Sequence, residues 1–299
     1  MTARAAARAP EAPRVSNPDK VFWPTEGYTK SDLVRFYADV FARLRPYVQD
    51  RLLSLERCPD GMKGQCFFQK EAPQGLPADT PTQRIQHAKG VTNYVVGGRE
   101  QTQLALANLG CIAVHVWGSR RATPRKPDWV CFDLDPASGD FSDAIPAALR
   151  VKEALDSLEL RSFAKTSGGK GIHVFVPIRL GPDADEVLAF AERLGGHLAA
   201  AYPGELTMEW RIADRKGRVY IDPFRNGFAQ TVVAPYSVRR RPQAPFSMPL
   251  AWKDIRPGLD HTRFTLGTYR EWLERVDPWT DFWKARQSLT RAMRAVQRL

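Results

Sequence analysis

Residues 129–222 alternate secondary-structure signals in an order that few folds accept. WVCFDLD (129–135) has the aromatic and β-branched content of a strand, and residues 142–158 carry a helical apolar repeat with Asp140 or Ser142 near the cap. RSFAKT (161–166) reads as a second strand, SGGKG as a tight turn and IHVFVPI (172–178) as a third strand. Residues 183–202 set Val187, Leu188, Phe190, Ala191, Leu194 and Leu198 along a helix, and RVYID (218–222) is a fourth strand. The order β-α-β-β-α-β is the split βαβ of ferredoxin-like and RRM-like folds, an α+β class. In it the first strand is central, flanked antiparallel by the third and fourth.

That topology makes residue parity informative, because alternate side chains on a strand point to opposite faces. Phe132, Leu134, Ile172, Val174, Val176, Val219 and Ile221 fall on one face, which the two helices would cover. Asp133, Asp135, His173, Tyr220 and Asp222 fall on the other. The end of the first strand, the turn before the third and the start of the fourth meet at one edge. Asp133, Asp135, Asp222, Ser167, Lys170 and His173 are therefore expected together on an open face.

The remaining segments build around this palm, which is expected over about residues 111–240. An N-terminal α/β lobe is expected over about 15–110. It holds an amphipathic helix from 29 to 48 with Thr29 or Ser31 as cap, and a hairpin turning at Gly97-Gly98. A C-terminal extension over about 241–299 ends in a helix with a basic outer face, and residues 1–14 form a loose basic tail. No linker divides residues 15–299, so they are expected to be one catalytic domain. The four cysteines lack CxxC spacing and disulfide-scaffold density, which suits reduced structural thiols in a cytosol. The tail lacks the apolar core of a secretory signal, although an organellar transit peptide shares its composition. No run approaches the roughly 18–20 apolar residues that span a bilayer.

The chain carries a net charge of +11, enough to draw a polyanion, so nucleic acid or a nucleotide leads the list of partners. Two aspartates on one strand face beside a third make an all-oxygen cluster suited to magnesium or manganese. The SGGKG turn offers backbone N–H groups, the Ser167 hydroxyl and the Lys170 ammonium to phosphate oxygens, although the spacing of a Walker A loop is absent. The reaction using both is two-metal nucleotidyl transfer.

DLDP, SGGKGIHVFVP and VYIDPFRN, with KVFWP and YTKSDL upstream, HVWGS between and APYSVR after, closely resemble the polymerase domain of bacterial DNA ligase D, of the archaeo-eukaryotic primase superfamily. The resemblance runs from about residue 17 to 283. It implies a bacterial primase-polymerase, cytoplasmic and nucleoid-associated. Such an enzyme fills gaps and extends broken ends in non-homologous end joining with NTP or dNTP and two divalent cations, Mn2+ or Mg2+, beside Ku and a DNA ligase. By the same resemblance Asp133, Asp135 and Asp222 are the catalytic metal ligands. His115, Ser167, Lys170, His173, Arg215 and Arg239 hold the incoming nucleotide, with Arg211 and Arg218 as competing alignments for Arg215. Lys20 and Lys30 grip a 5′-phosphate at a DNA gap, and Phe67 and Phe68 stack on template bases.

The chain lacks the KxDG motif of a ligase and the His-rich pattern of a phosphoesterase, so it is expected to be a stand-alone polymerase or an excised domain. Stand-alone relatives imply excision repair as the alternative pathway. A metal-dependent nuclease would use the same carboxylates without a triphosphate grip. An RRM-like binding module would place aromatic residues where this chain has aspartates.

Overall fold

The structure is a computed structural model that describes residues 15–298, so the expected tail over 1–14 lies outside the described residues. A small hairpin, β1 (Val21–Trp23) and β2 (Tyr28–Thr29), leads into α1 (Lys30–Val48). The Thr29 hydroxyl accepts from the Asp32 N–H while the Asp32 carboxylate accepts from the Thr29 N–H, a reciprocal box that satisfies two otherwise orphaned donors. The predicted stripe of α1 is the buried one: Leu33, Phe36, Tyr37, Val40, Phe41 and Leu44.

The lobe continues through β3 (Leu53–Arg57), β4 (Phe67–Gln69), β5 (Thr82–His87), β6 (Gly90–Val95), α2 (Glu100–Asn108) and β7 (Cys111–Trp117). The β5–β6 hairpin reverses between His87 and Gly90, not at Gly97-Gly98 as the sequence suggested. Gly98 has φ +113, and a Cβ there would lie 2.8 Å from Gln49 Cα. The glycines are needed where the chain crosses the C-terminal end of α1, not for a turn.

The cysteine expectation also fails at one pair. Arg57 and Phe67 are opposite one another in the antiparallel β3–β4 pair, so Cys58 and Cys66 face each other with Cα atoms 4.3 Å apart and form a disulfide. Cys111 and Cys131 are free and buried.

The next elements are β8 (Trp129–Pro136), α3 (Phe141–Ser157), β9 (Phe163–Thr166), β10 (Ile172–Pro177), α4 (Ala184–Ala201), β11 (Leu206–Thr207) and β12 (Val219–Asp222). After them come β13 (Thr231–Val233), β14 (Pro249–Leu250), α5 (Tyr269–Leu273) and α6 (Thr290–Val296). A six-stranded sheet runs β11-β12-β8-β10-β9-β14, with β8 antiparallel to both β12 and β10. Its apolar face, with Phe132, Leu134, Ile172, Val174, Val219 and Ile221 all buried, packs under α3 and α4. A four-stranded sheet runs β13-β7-β3-β4. β7 and β13 lie inside the 111–240 stretch yet pair into this second sheet, so the chain weaves between the two layers. One apolar cluster accordingly reaches from Phe22 to Val296.

The long terminal helix expected after residue 276 is reduced to α6. Trp279 and Phe282 stack at 4.7 Å and are buried, and the Trp279 indole donates to the Ala164 carbonyl at 3.0 Å. Gln287 ties the chain to Arg161 through both its amide groups. Those anchors hold residues 277–289 in turns that a regular helix could not satisfy.

Candidate active site

Strand register assembles the site. Lys165 on β9 lies opposite His173 on β10, His173 opposite Asp133 on β8, and Asp133 opposite Asp222 on β12. Four polar residues thus form one row across four strands, on the face away from α3 and α4. Asp135 follows two residues on, opposite Tyr220.

The row is a connected network. The buried Lys165 ammonium donates to His173 Nδ1 at 2.9 Å and to the Ser247 hydroxyl at 2.7 Å. Burial pushes Lys165 down to about 7 and His173 down to about 4, with Lys165 adding to the effect on the histidine. His173 is therefore a neutral imidazole whose Nε2–H donates to Asp133 Oδ1 at 3.1 Å, its tautomer fixed by the lysine on the other nitrogen. Burial raises the Asp133 carboxyl, but His173 and Arg225 outweigh it and hold Asp133 well below the usual carboxylate range. Asp222 is raised, chiefly by burial.

Directly opposed carboxylates repel. Here Arg225 lies between them, its Nε 3.1 Å from Asp133 Oδ2 and 3.2 Å from Asp222 Oδ2. Asp135, more open to solvent, accepts from Arg215 at 2.8 Å. Arg215 is itself fixed by the Glu209 and Trp210 carbonyls and lies over the Tyr220 ring.

The row opens into a cleft of about 380 Å³ lined by His115, Asp133, Asp135, Ser167, Lys170, His173, Arg215, Asp222 and Arg239. Every residue that the sequence assigned to catalysis or nucleotide binding is brought together there. Within the glycine turn, the Ser167 hydroxyl accepts from the Gly169 and Gly171 N–H groups, so it folds the turn and also lines the cleft. Gly171 packs so close to β8 that a Cβ would sit 2.3 Å from the Leu134 carbonyl oxygen. Lys170 is exposed and makes no ion pair among the described residues. Arg239 is held by the Ser167 carbonyl at 3.2 Å, and its Nε is buried without a partner. His115, on β7, likewise has a buried, unpartnered Nε2, and burial followed by Arg239 keeps it neutral.

Phe67 and Phe68 are exposed on β4, an edge strand, and Phe68 meets the His115 ring edge-to-face at 5.4 Å. Lys20 and Lys30 do not line the cleft. They are neighbours at the β1–β2 hairpin, where burial and then Lys20 lower Lys30. Lys20 pairs with Asp60, and Lys30 donates to the Ser16 hydroxyl and the Asn108 carbonyl.

Sequence reading missed Lys165, Arg225, Arg241 and Trp210. Strand parity puts Lys165 on the same face as His173, and Arg225 stands three residues after Asp222 in IDPFRN, so both had a signal. Trp210 and Arg241 reach the cleft from irregular segments that carry no period.

The three carboxylates are hard oxygen donors of the sort that divalent cations take, and a positive group already bridges two of them. The chemistry fits a metal. Among the described residues, however, no three acidic, histidine or cysteine side chains are preassembled as a metal cage. The guanidinium groups of Arg215 and Arg225 engage the carboxylates instead.

Carboxylates on a rigid sheet beside a lysine-bearing glycine turn and two unpartnered buried nitrogens define a nucleotidyltransferase of the polymerase kind. Its family follows from comparison. The sequence profile of the "LigD, primase-polymerase domain" matches residues 29–283, and the chain belongs to that family. The multifunctional non-homologous end joining protein LigD of Mycolicibacterium smegmatis is 30% identical over 91% of this chain and 35% of its own length. Its namesake from Pseudomonas aeruginosa is 31% identical over 94% of this chain and 34% of its own. The chain spans about a third of the length of these curated relatives. Among solved structures, the polymerase domain from Mycobacterium tuberculosis ligase D in complex with DNA superimposes with a TM-score of 0.84 at 25% identity, covering 91% of this chain and 98% of that one. No helix among the described residues is long and apolar enough to cross a membrane.

Proposed function

We propose that this chain is a template-dependent primase-polymerase that adds NTP or dNTP to a primer 3′-hydroxyl at DNA gaps and broken ends, as the catalytic unit of end joining beside Ku and a DNA ligase. The observation that carries this reading is the row Lys165–His173–Asp133–Asp222 opening into the same cleft as Lys170 and Arg239. The six-stranded sheet is read as an RRM-like palm, and residues 15–299 as one catalytic domain.

Asp133, Asp135 and Asp222 would hold two divalent cations, Mn2+ or Mg2+, which lower the pKa of an attacking hydroxyl and neutralise the leaving pyrophosphate. The chain's own residues do the rest. His173, itself oriented by Lys165, keeps Asp133 ionised and aimed into the cleft, and Arg215 orients Asp135 through their ion pair. Lys170 and Arg239 supply charge to the phosphates, with the Arg239 Nε able to gain the partner it lacks. The buried His115 Nε2 is a second unpartnered nitrogen for the incoming nucleotide. Phe67 and Phe68 offer faces for template bases, and Lys20 with Lys30 a paired positive site for a 5′-phosphate. A cytoplasmic, nucleoid-associated location follows from the substrate.

Primer extension on a gapped, 5′-phosphorylated duplex, with ribo- and deoxynucleotides and each metal, tests the reading. Extension with stoichiometric pyrophosphate release is expected. Strand cleavage without pyrophosphate would replace it with a nuclease.

A further inference from the structure

Arg225 is the residue whose position the proposed chemistry does not use. It belongs to the three-residue turn after β12, and the turn is pinned to β8 through Asn226. The Asn226 side chain accepts from the Cys131 N–H at 2.7 Å and donates to the Cys131 carbonyl at 2.8 Å and the Pro223 carbonyl at 2.7 Å. The backbone beneath Arg225 is therefore fixed two residues from Asp133. Its side chain is not. That side chain is 40% exposed, and only Nε is engaged, shared between Asp133 Oδ2 and Asp222 Oδ2. The two terminal guanidinium nitrogens have no hydrogen-bond partner among the described residues.

A divalent cation binds carboxylate oxygens at roughly 2.0–2.6 Å. An ion bridging Asp133 Oδ2 and Asp222 Oδ2 would overlap the guanidinium, whose Nε lies 3.1 and 3.2 Å from the same atoms. Ion and arginine cannot occupy that space together. Because Asn226 holds the turn, Arg225 can leave by side-chain rotation alone, and the rotated group stays in the cleft that Lys170, Arg239 and Arg241 already line. Four cations crowded there without a counter-ion repel one another. A triphosphate removes that obstacle.

We propose that Arg225 is an internal cation that occupies the Asp133–Asp222 pair until a nucleotide triphosphate draws it away, so that metal entry and nucleotide binding are coupled through this one side chain. The inference rests on the reading of Asp133 and Asp222 as metal ligands. In the resting protein the arginine cancels the repulsion between the two carboxylates. In the loaded protein the ion takes over that role, and the guanidinium turns its two open nitrogens to phosphate oxygens. Since coupling is reciprocal, the factor by which nucleotide tightens the metal is the factor by which metal tightens the nucleotide.

Mn2+ binding to the full chain, followed by loss of the free-ion EPR signal in the absence of nucleotide, tests the competition directly. Arg225→Gln is expected to bind Mn2+ about 10- to 100-fold more tightly than wild type, the range for one charge-assisted hydrogen-bonding competitor removed. Arg225→Lys keeps the charge and is expected to bind as weakly as wild type. In a second arm, the affinity for a non-hydrolysable triphosphate is measured at zero and saturating Mn2+. Complexation of the triphosphate by Mn2+ in solution is common to both proteins and cancels in the comparison. The enhancement by metal should be smaller in Arg225→Gln than in wild type by about the same factor. If the opposed carboxylates unfold Arg225→Gln in EDTA, its recovery by added Mn2+ is the expected direction, read as a melting temperature that rises more than that of wild type. Arg225→Gln binding Mn2+ no better than wild type overturns the coupling. Asp133→Ala separates the two levels: if it binds Mn2+ as well as wild type, the metal reading falls and the coupling with it. If it loses Mn2+ while Arg225→Gln gains nothing, only the coupling fails.

Discussion

The two sheets present their candidate residues in different ways. Across the six-stranded sheet the row of polar groups is locked, each with a partner at hand: Lys165 meets His173, His173 meets Asp133, and Arg225 closes the gap to Asp222. The four-stranded sheet keeps the His115 Nε2 buried on β7 but leaves its edge open, with Phe67 and Phe68 on the edge strand β4 at 39% and 61% exposure. Chemistry at fixed atoms calls for side chains locked by packing, whereas a grip on a long, variable polymer calls for faces that any base can meet. The sheets are joined by a third arrangement, the buried Arg51, which pairs with Asp128 and stacks 3.6 Å over Trp129 while donating to the Trp117 carbonyl.

The division of labour breaks at the row first. Asp133→Ala should abolish nucleotide addition while leaving DNA affinity within about twofold, because binding draws on the basic surface and not on the carboxylates. Extension at wild-type rate in single-turnover assays would end the assignment. The joint comes next. Arg51→Met leaves Asp128 buried with only Arg120, and should cost stability near the lower end of about 3–5 kcal/mol in denaturant titrations. A loss under 1 kcal/mol, against that roughly threefold larger expectation, would mean the two sheets do not depend on this ion pair.

The buried lysine sharpens the contrast through pH. Lys165 releases its proton near 7 in the folded protein, whereas in the unfolded chain it holds the proton to its ordinary value of 10.5. Between those limits the unfolded state binds more protons, so stability rises with pH in that window. Metal-free wild type should therefore gain stability relative to Lys165→Met between pH 7 and 10, by an amount on the order of a few kcal/mol. Parallel urea midpoints across the range would show that the lysine is not held neutral by burial. The smallest effect belongs to the edge strand. Phe68→Ala should weaken template binding by about 1–2 kcal/mol, one stacked base, with nucleotide affinity unchanged in the absence of template. Equal losses in both titrations would move Phe68 from template grip to nucleotide pocket.

Legibility followed the same division. Along residues 129–202 period-2 and period-3.6 patterns alternate, and parity with the strand at 219–222 brings Asp133, Asp135, His173 and Asp222 to one face. Lys165 is equally legible by parity, although a lysine in a strand ordinarily reads as solvent-facing. The lobe is harder, since its geometry depends on tertiary contacts with no local period: the crossing of Gly98 over Gln49, and the Cys58–Cys66 pairing that appears only once β3 and β4 are set side by side. The last segment misled because its aromatic spacing suits a helix as well as the turns that Trp279 and Gln287 impose.

The close approach of Gly171 to β8 bears on how such an enzyme can be re-engineered. Any side chain there meets the Leu134 carbonyl oxygen at 2.3 Å, an obstacle made of backbone, whereas one at Gly169 would press only on the mobile end of Arg241. A mutant library built to change nucleotide choice should therefore keep the codon for Gly171 invariant. Its diversity belongs at Gly169, Arg241 and Trp210, which border the cleft without holding the strands together.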